Sequence, residues 1–344
     1  MRPVKNESAG IAQAAGVAQA AASERPGSEG PRSGTASASS PSATFHVEGI
    51  AFWTPTLPGW AAARAAFRGD AEPLATPAKR PAPEILAPAE RRRAPDTVAL
   101  TLEVAGAAVR ESGLDAATLP SVFTSAHGDL AVNDYMCTTL ASQPTLISPT
   151  KFHNSVHNAA AGYWTIATGC RAASTALTAF DASFGAGLLE AASQCIADAA
   201  PVLLVAFDVE ATGALASVTE STGMLACALV LAPHPSDRTV ATLDWTLTRG
   251  GNAPPELRSA AARSLAGNAM AGALPFLEAI AVASHGGSPD DTACGSESLD
   301  GKAPDSEAPS ADRAAASISL PLTRSLALAL TARFTAHAAA QATS

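Results

Sequence analysis

The stretch from Ser148 to Glu190 constrains the fold more than any other part of this 344-residue chain. It reads SPTKFHNSVHNAAAGYWTIATGCRAASTALTAFDASFGAGLLE. Small and aromatic residues at helical spacing predict one helix over Phe152–Thr168, ended by Gly169 and Arg171. Ser174 to Phe180 is short, rich in Thr, Ala and Leu, and bounded by turn chemistry, which predicts a buried strand. Asp181-Ala-Ser183-Phe-Gly185-Ala-Gly187 then turns the chain sharply into an apolar run of helical period reaching Ala192. A polar residue between a buried strand and a following helix faces free N–H groups and the positive end of the helix dipole. Such a place can lower a thiol pKa or hold an oxyanion. It suits a nucleophile, and this chain puts Asp181-Ala-Ser183 there.

The surrounding segments alternate strand and helix. Phe45 to Trp53 reads as a strand, and Gly59 to Phe67 as a short helix with Trp60 and Phe67 on one face. Gly69 to Pro95 is Pro-rich and irregular. Asp96 is a good N-cap for a helix to Ser112, with Val98, Leu102, Ala105 and Val109 on one stripe and Gly113 as its stop. Pro120 to Ala126 reads as a strand ending at His127-Gly-Asp129, and Leu130 to Leu140 as a helix. Pro201 to Phe207 is a continuous apolar run, as expected of a strand buried on both faces, and Gly223 to Leu231 is another. The expectation is a layered α/β domain. Beyond Pro233, Val240 to Thr248 reads as a strand. Pro255 to Val282 reads as helical with breaks at Gly267 and Pro275, and Leu274, Leu277 and Ile280 form a stripe. Ile318 to Leu330 reads as a strand pair or one long strand.

Composition bounds the rest. Residues 1–43 are mostly Ala, Ser, Gly, Pro and Glu and cannot bury enough apolar surface to offset ordering, so a disordered tail is expected there. The low-complexity segment 286–314 is expected to be an insertion within a reduced C-terminal part, 234–344. A net charge of −9 argues against general nucleic-acid binding. Arg91-Arg92-Arg93 reads as a solvated loop or helix start. No apolar run is long enough to span a bilayer, and no secretion signal is expected. The five cysteines, Cys137, Cys170, Cys195, Cys227 and Cys294, lie far apart with no CxxC pair, which favours reduced cytosolic thiols over a disulfide framework or a zinc site. No metal or cofactor is expected.

Each singled-out residue has a chemical and a structural reading. Asp181 is a position-specific group reaching toward a substrate tunnel, or a helix N-cap. Ser183 is a nucleophile, since Asp181-Ala-Ser183-Phe-Gly185 differs from the hydrolase elbow G-x-S-x-G only at its first position, or a second capping hydroxyl. The later histidines that a hydrolase order requires, His234, His285 and His337, sit in a proline-flanked loop, the low-complexity segment and the C-terminal tail. His153 and His157 have i, i+4 spacing on a helix, but HNSVH lacks the Glu of HExxH; polar interface residues are the alternative to a metal pair. Phe152, Tyr163, Trp164 and Phe184 line an apolar ligand channel or form core.

Taken together, Asn158, the run Ala161-Gly162-Tyr-Trp-Thr-Ile166 through Gly169, then Arg171 and Ser174, resemble the N-terminal half of the β-ketoacyl synthases. The resemblance covers about Phe45 to Pro233 and implies a thiolase-like layered fold, with 44–233 as the synthase-like domain. More narrowly, FHNSVHNAAAGYW followed by AFDASFGAGLLEA resembles the chain-length-factor-like subunits of aryl-polyene clusters. That implies a cytosolic heterodimer with an active ketosynthase, building polyene chains on an acyl carrier protein. The strand Ser174 to Phe180 would then join the two sheets across the dimer. The resemblance places Asp181 where condensing enzymes carry their nucleophilic Cys, and a carboxylate is a poor acyl acceptor. Cys170 and Cys195 lie outside the elbow. The C-terminal third has no His-Gly-Thr-Gly-Thr motif, and Ser264-Leu-Ala-Gly267-Asn268 is similar to the family's second His motif with Asn in place of His. A catalytically silent subunit is expected, with Phe180, Phe184, Asn158 and Phe152 joining Asp181, Ser183, His153 and His157 as tunnel or interface residues. An acyl-thioester hydrolase or decarboxylase acting through Asp181-Ala-Ser183 is the alternative.

Overall fold

The computed structural model describes residues 43–250, 255–283 and 316–334. The segment 286–314 and residues 1–42 of the expected tail lie outside these residues, as do Cys294, His285 and His337, whereas Ala43, the last residue of that tail, begins the first strand. The strands are β1 (Ala43–Trp53), β2 (Ser121–Thr124), β3 (Ser174–Leu177), β4 (Val202–Asp208), β5 (Leu225–Ala232), β6 (Ala241–Arg249), β7 (Ala316–Pro321) and β8 (Leu326–Phe334). The helices are α1 (Trp60–Arg68), α2 (Pro88–Arg93), α3 (Asp96–Ser112), α4 (Leu130–Ser142), α5 (Pro149–His153), α6 (Ala159–Thr168), α7 (Ser183–Ala197), α8 (Ala260–Ser264) and α9 (Leu274–Ala283).

The eight strands form one sheet in the order β3-β2-β4-β5-β1-β6-β8-β7. β3, β2 and β4 run parallel because helical crossovers join them, and the remaining pairings are antiparallel. Both faces of the central strands are covered. On one side Phe45, Phe184, Leu188, Leu204 and Phe276 belong to a core shared with α1, α7 and α9. On the other, Val98, Leu102, Trp164, Leu203 and Val205 form a second core under α3 and α6. This is the expected layered α/β arrangement, and the stripe Val98, Leu102, Ala105 and Val109 is buried as the spacing required. The apolar runs Pro201–Phe207 and Gly223–Leu231 supply the central strands β4 and β5, which are buried along their whole length. Beyond Pro233, β6 adds to β1, the β7–β8 hairpin adds to β6, and Leu274, Leu277 and Ile280 of α9 are buried.

Several local expectations are corrected. Asp96 is the first residue of α3 rather than its cap; Pro95 holds the cap position, and the Asp96 carboxylate instead meets Arg80 Nε at 3.2 Å. Pro95 already has the extended ψ that a cap needs, so the helix starts one residue earlier than the Asp signal implied. Arg91, Arg92 and Arg93 form the last turn of α2, within a region expected to be irregular, where their charge suits the helix C-terminus. The helix expected over Phe152–Thr168 is split into α5 and α6 by a turn at residues 154–158. Pro275 does not break α9: it lies in the first turn, where its missing N–H costs nothing.

α8 is only five residues long and is held from outside. The buried Glu278 carboxylate, on α9, accepts hydrogen bonds from the Arg258 N–H at 3.0 Å and the Ser259 N–H at 2.7 Å. Glu278→Ala leaves both donors without that acceptor and is expected to cost about 2 kcal/mol, read as a shift in urea midpoint.

Candidate functional site

The carboxyl ends of the parallel strands β2, β3 and β4 meet the N-terminus of α7, and the chemistry-bearing residues gather there. After β3, Phe180 to Ala182 form a single 3₁₀ turn, and α7 begins at Ser183. The sharp bend falls on Phe180, whose φ of 50° places a non-glycine residue in the left-handed region. Such backbone costs on the order of 1–3 kcal/mol and persists only where the surroundings enforce it. The strained residue of this elbow is therefore Phe180, one position before Asp181, and the residue is 71% exposed.

Asp181 is not the helix cap. Ala182 holds the cap position of α7 and no side chain bonds there. The Asp181 side chain is exposed and makes no hydrogen bond or ion pair among the described residues. Ser183 is not an N-cap either, because it is the first residue of the helix. Its hydroxyl reaches backward and accepts the Ala179 N–H at 3.0 Å, while its carbonyl accepts the Thr124 hydroxyl at 2.9 Å. Ser183 is 1% exposed, and no histidine bonds it among the described residues. The carbonyl thus ties the elbow to β2, while the hydroxyl closes the elbow on itself and is turned away from solvent.

The histidine pair separates. His153 closes α5 with its ring against Tyr163 (centroids 6.2 Å apart), whereas His157 lies in the following turn, so the two are not on one helix. The turn forms where Asn154, 3% exposed, ends α5. His157 Nε2 lies 3.3 Å from the Ser125 carbonyl oxygen. No cluster of metal-ligating side chains occurs among the described residues. Trp164 and Phe184 are core, Tyr163 is partly buried, and Phe152 is exposed, which removes the core alternative for Phe152.

β3 also departs from its expected burial. It is the edge strand of the sheet, paired with β2 on one side only, and its residues are half-buried or exposed. Its Thr, Ala and Leu content resembles that of a central strand. The position, however, is set by which distant strand it pairs with.

A buried polar network that sequence reasoning passed over lies beside the elbow. Asp208, the last residue of β4, is fully buried. Its carboxylate accepts the Ser125 hydroxyl at 2.6 Å and the Ala126 N–H at 2.9 Å. The Ser125 hydroxyl in turn accepts the Gly128 N–H at 2.8 Å. His127 Nδ1 stands 3.7 Å from the carboxylate and 3.1 Å from the Gly128 carbonyl, so Nδ1 carries the hydrogen; its buried Nε2 has no protein partner. Burial pushes the Asp208 carboxyl pKa up, against the opposing pull of Ser125, the Ala126 N–H and His127. Asn268 closes the cluster, its carboxamide nitrogen donating to the Thr222 carbonyl at 3.0 Å and its oxygen accepting the Met270 N–H. Asn268 is thus a structural tie. The available signal was an Asp ending an apolar run, together with Ser-Ala-His-Gly after a strand.

No described thiol serves the elbow. Cys195 and Cys227 are pushed by burial to about 12, Cys170 donates to the Leu119 carbonyl, and Cys137 lies on α4.

A family model described as "Beta-ketoacyl synthase, N-terminal domain" matches residues 60–285. The chain belongs to this family. No curated protein matches it. Among solved structures, a ketosynthase in complex with its chain length factor from Xenorhabdus doucetiae is 21% identical, with a TM-score of 0.57 over 84% of this chain and 99% of that one. The ishigamide ketosynthase/chain length factor is 13% identical, with a TM-score of 0.60 over 85% of this chain and 99% of that one. A type II polyketide ketosynthase in complex with its acyl carrier protein is 11% identical, with a TM-score of 0.61 over 86% of this chain and 100% of that one. These likenesses establish the thiolase-like fold of the ketosynthase-like chain.

Proposed function

We propose that this ketosynthase-like chain is a catalytically silent, chain-length-factor-like subunit that pairs with an active β-ketoacyl synthase. The observation carrying the reading is the elbow itself: where the family's thiol would stand, Asp181 is exposed and the nearest hydroxyl, Ser183, is buried and occupied. Without an acyl-accepting group, elongation needs a second chain. The surface supports a partner. β3 presents an unpaired strand edge, a feature that proteins cover or blunt. Leu140, Leu146, Phe152, Val156, Ile166 and Phe180 are exposed on the elements between β2 and α7. Apolar exposure concentrated in this way marks an interaction face. A heterodimer needs two complementary surfaces and only one competent active site. The setting would be cytosolic polyene assembly on an acyl carrier protein, with this chain shaping the cavity that limits chain length. No helix among the described residues is long and apolar enough to cross a membrane.

Co-expression of the tagged chain with the ketosynthase encoded nearest to it, followed by size-exclusion chromatography with mass measurement, tests the proposal. A stable one-to-one complex is expected, with poor solubility of the chain alone. A well-behaved monomer or homodimer that ignores the ketosynthase overturns it. In a thioester hydrolysis assay the wild type and Ser183→Ala are expected at the same background rate. Turnover by the wild type that Ser183→Ala abolishes would return the hydrolase reading.

A further inference from the structure

A cavity of about 450 Å³ opens between α6 and the α6-facing side of β3, next to the unpaired edge of the sheet. His157, Asn158, Gly162 and Thr165 line it from the turn and from α6, and Ser174 and Ala176 line it from β3. Ser174 and Ala176 are two residues apart and so share one face of the strand. All three side chains that would otherwise fill the space, at Gly162, Ser174 and Ala176, are absent or small. A Cβ added at Gly162 would meet no atom within 4 Å.

A strand added to β3 would lie about 4.8 Å away, with alternate side chains directly over this face. Strand addition takes its affinity from main-chain hydrogen bonds and its specificity from pockets for alternate side chains. The cavity is such a pocket, and no Asp, Glu, Lys or Arg lines it. His157 Nε2 faces the Ser125 carbonyl, which can only accept, so Nε2 carries the hydrogen, and the tautomer that satisfies this contact has Nδ1 as an acceptor. The Asn158 side chain makes no hydrogen bond among the described residues and supplies a second polar group.

We propose that this cavity receives one large, uncharged side chain with a hydrogen-donating tip, such as tyrosine or glutamine, from the ketosynthase strand that adds to β3. The cavity thereby sets which ketosynthase the chain accepts. The inference rests on the partner reading above and adds to it a specificity pocket.

Gly162→Leu tests it. The new side chain fills the cavity, and because leucine is a better helix former than glycine, the thermal midpoint should be equal to or above that of the wild type. Affinity for the co-expressed ketosynthase, measured by titration of the purified chains, is expected to fall roughly tenfold or more, as for a blocked central pocket. Gly162→Ala adds one methyl to the same open space and should bind nearly as wild type, whereas His157→Ala, which removes the acceptor, should bind less tightly. Wild-type binding with Gly162→Leu equally tight overturns the pocket alone. Absence of any wild-type complex overturns the partner reading, and the pocket proposal falls with it.

Discussion

Replacing Gly49 by alanine is expected to lower the unfolding free energy by about 3 kcal/mol, at the upper end of what overpacking costs. Gly49 lies in β1 at a register shift, opposite Val230 of β5. An added Cβ would stand 2.2 Å from the Ala108 carbonyl oxygen and 3.2 Å from the Ser112 Cβ, both on α3. The obstacle is helix backbone, which cannot swing aside as a side-chain tip can. The methyl must push α3 off the sheet, and with it the packing of Leu102, Ala105 and Val109 in the second core. Gly106→Ala, on the same helix, is the control. There the nearest atom is the flexible end of Arg110 at 3.3 Å, so the helix-propensity gain of about 0.5–1 kcal/mol should dominate. Urea denaturation of both variants decides the matter: a Gly49→Ala midpoint equal to the wild type would mean that α3 does not rest on β1 at this point.

Gly49 also marks the boundary of what the sequence discloses. The strand Phe45–Trp53 and the helix Asp96–Ser112 are each legible, because alternation and 3.6-residue periodicity are local properties that burial of one face imposes. Their crossing point is not, since a glycine that admits a helix backbone looks like any other glycine. The same division runs through the site. The elbow between β3 and α7 is legible from the Thr-Ala-Leu run and the small-residue helix that follows it. The edge position of β3 is not, because pairing between residues some fifty positions apart decides it. The break at Asn154 escapes the helical pattern, since Val156 and Ala160 continue the expected spacing across a turn. Asp181 stands out in the sequence as a polar residue between strand and helix, and the family resemblance places it at the nucleophile position. Folding instead buried Ser183 as a backbone tie and left Asp181 facing out. Asp208, directly after an apolar run, looks in sequence like the start of a loop. Three elements, β2, β4 and the segment around Asn268, have to converge before its role becomes visible.

Asp208→Ala is expected to cost about 3 kcal/mol, because the Ser125 hydroxyl and the Ala126 N–H each lose a buried acceptor worth 1–3 kcal/mol. Asp208→Asn is the sharper probe, since it preserves shape and removes only the ionisable group. Burial raises the Asp208 carboxyl pKa above its ordinary value, and Ser125, the Ala126 N–H and His127 offset part of that rise. The sign of the linkage follows. Between the ordinary value and the raised one, the folded chain holds a proton that the unfolded chain has released. Stability then falls as pH rises, because the native state binds more protons than the unfolded state. The contribution of this group is fully present below the unfolded pKa and is lost as pH climbs through the folded one. The stability of the wild type relative to Asp208→Asn should therefore decline on going upward from about pH 4, where unfolded aspartate titrates. A relative stability that instead grows with pH would show that the Ser125, Ala126 and His127 contacts outweigh burial. The carboxylate would then be a stabilising anion that fixes the end of β2 against β4. The two outcomes also divide on function. A carboxyl that is costly when charged keeps the network neutral beside the elbow, leaving Asp181 as the exposed charge available to a partner's substrate channel. A stably charged Asp208 would give the elbow a second anion, 3.7 Å from His127 Nδ1.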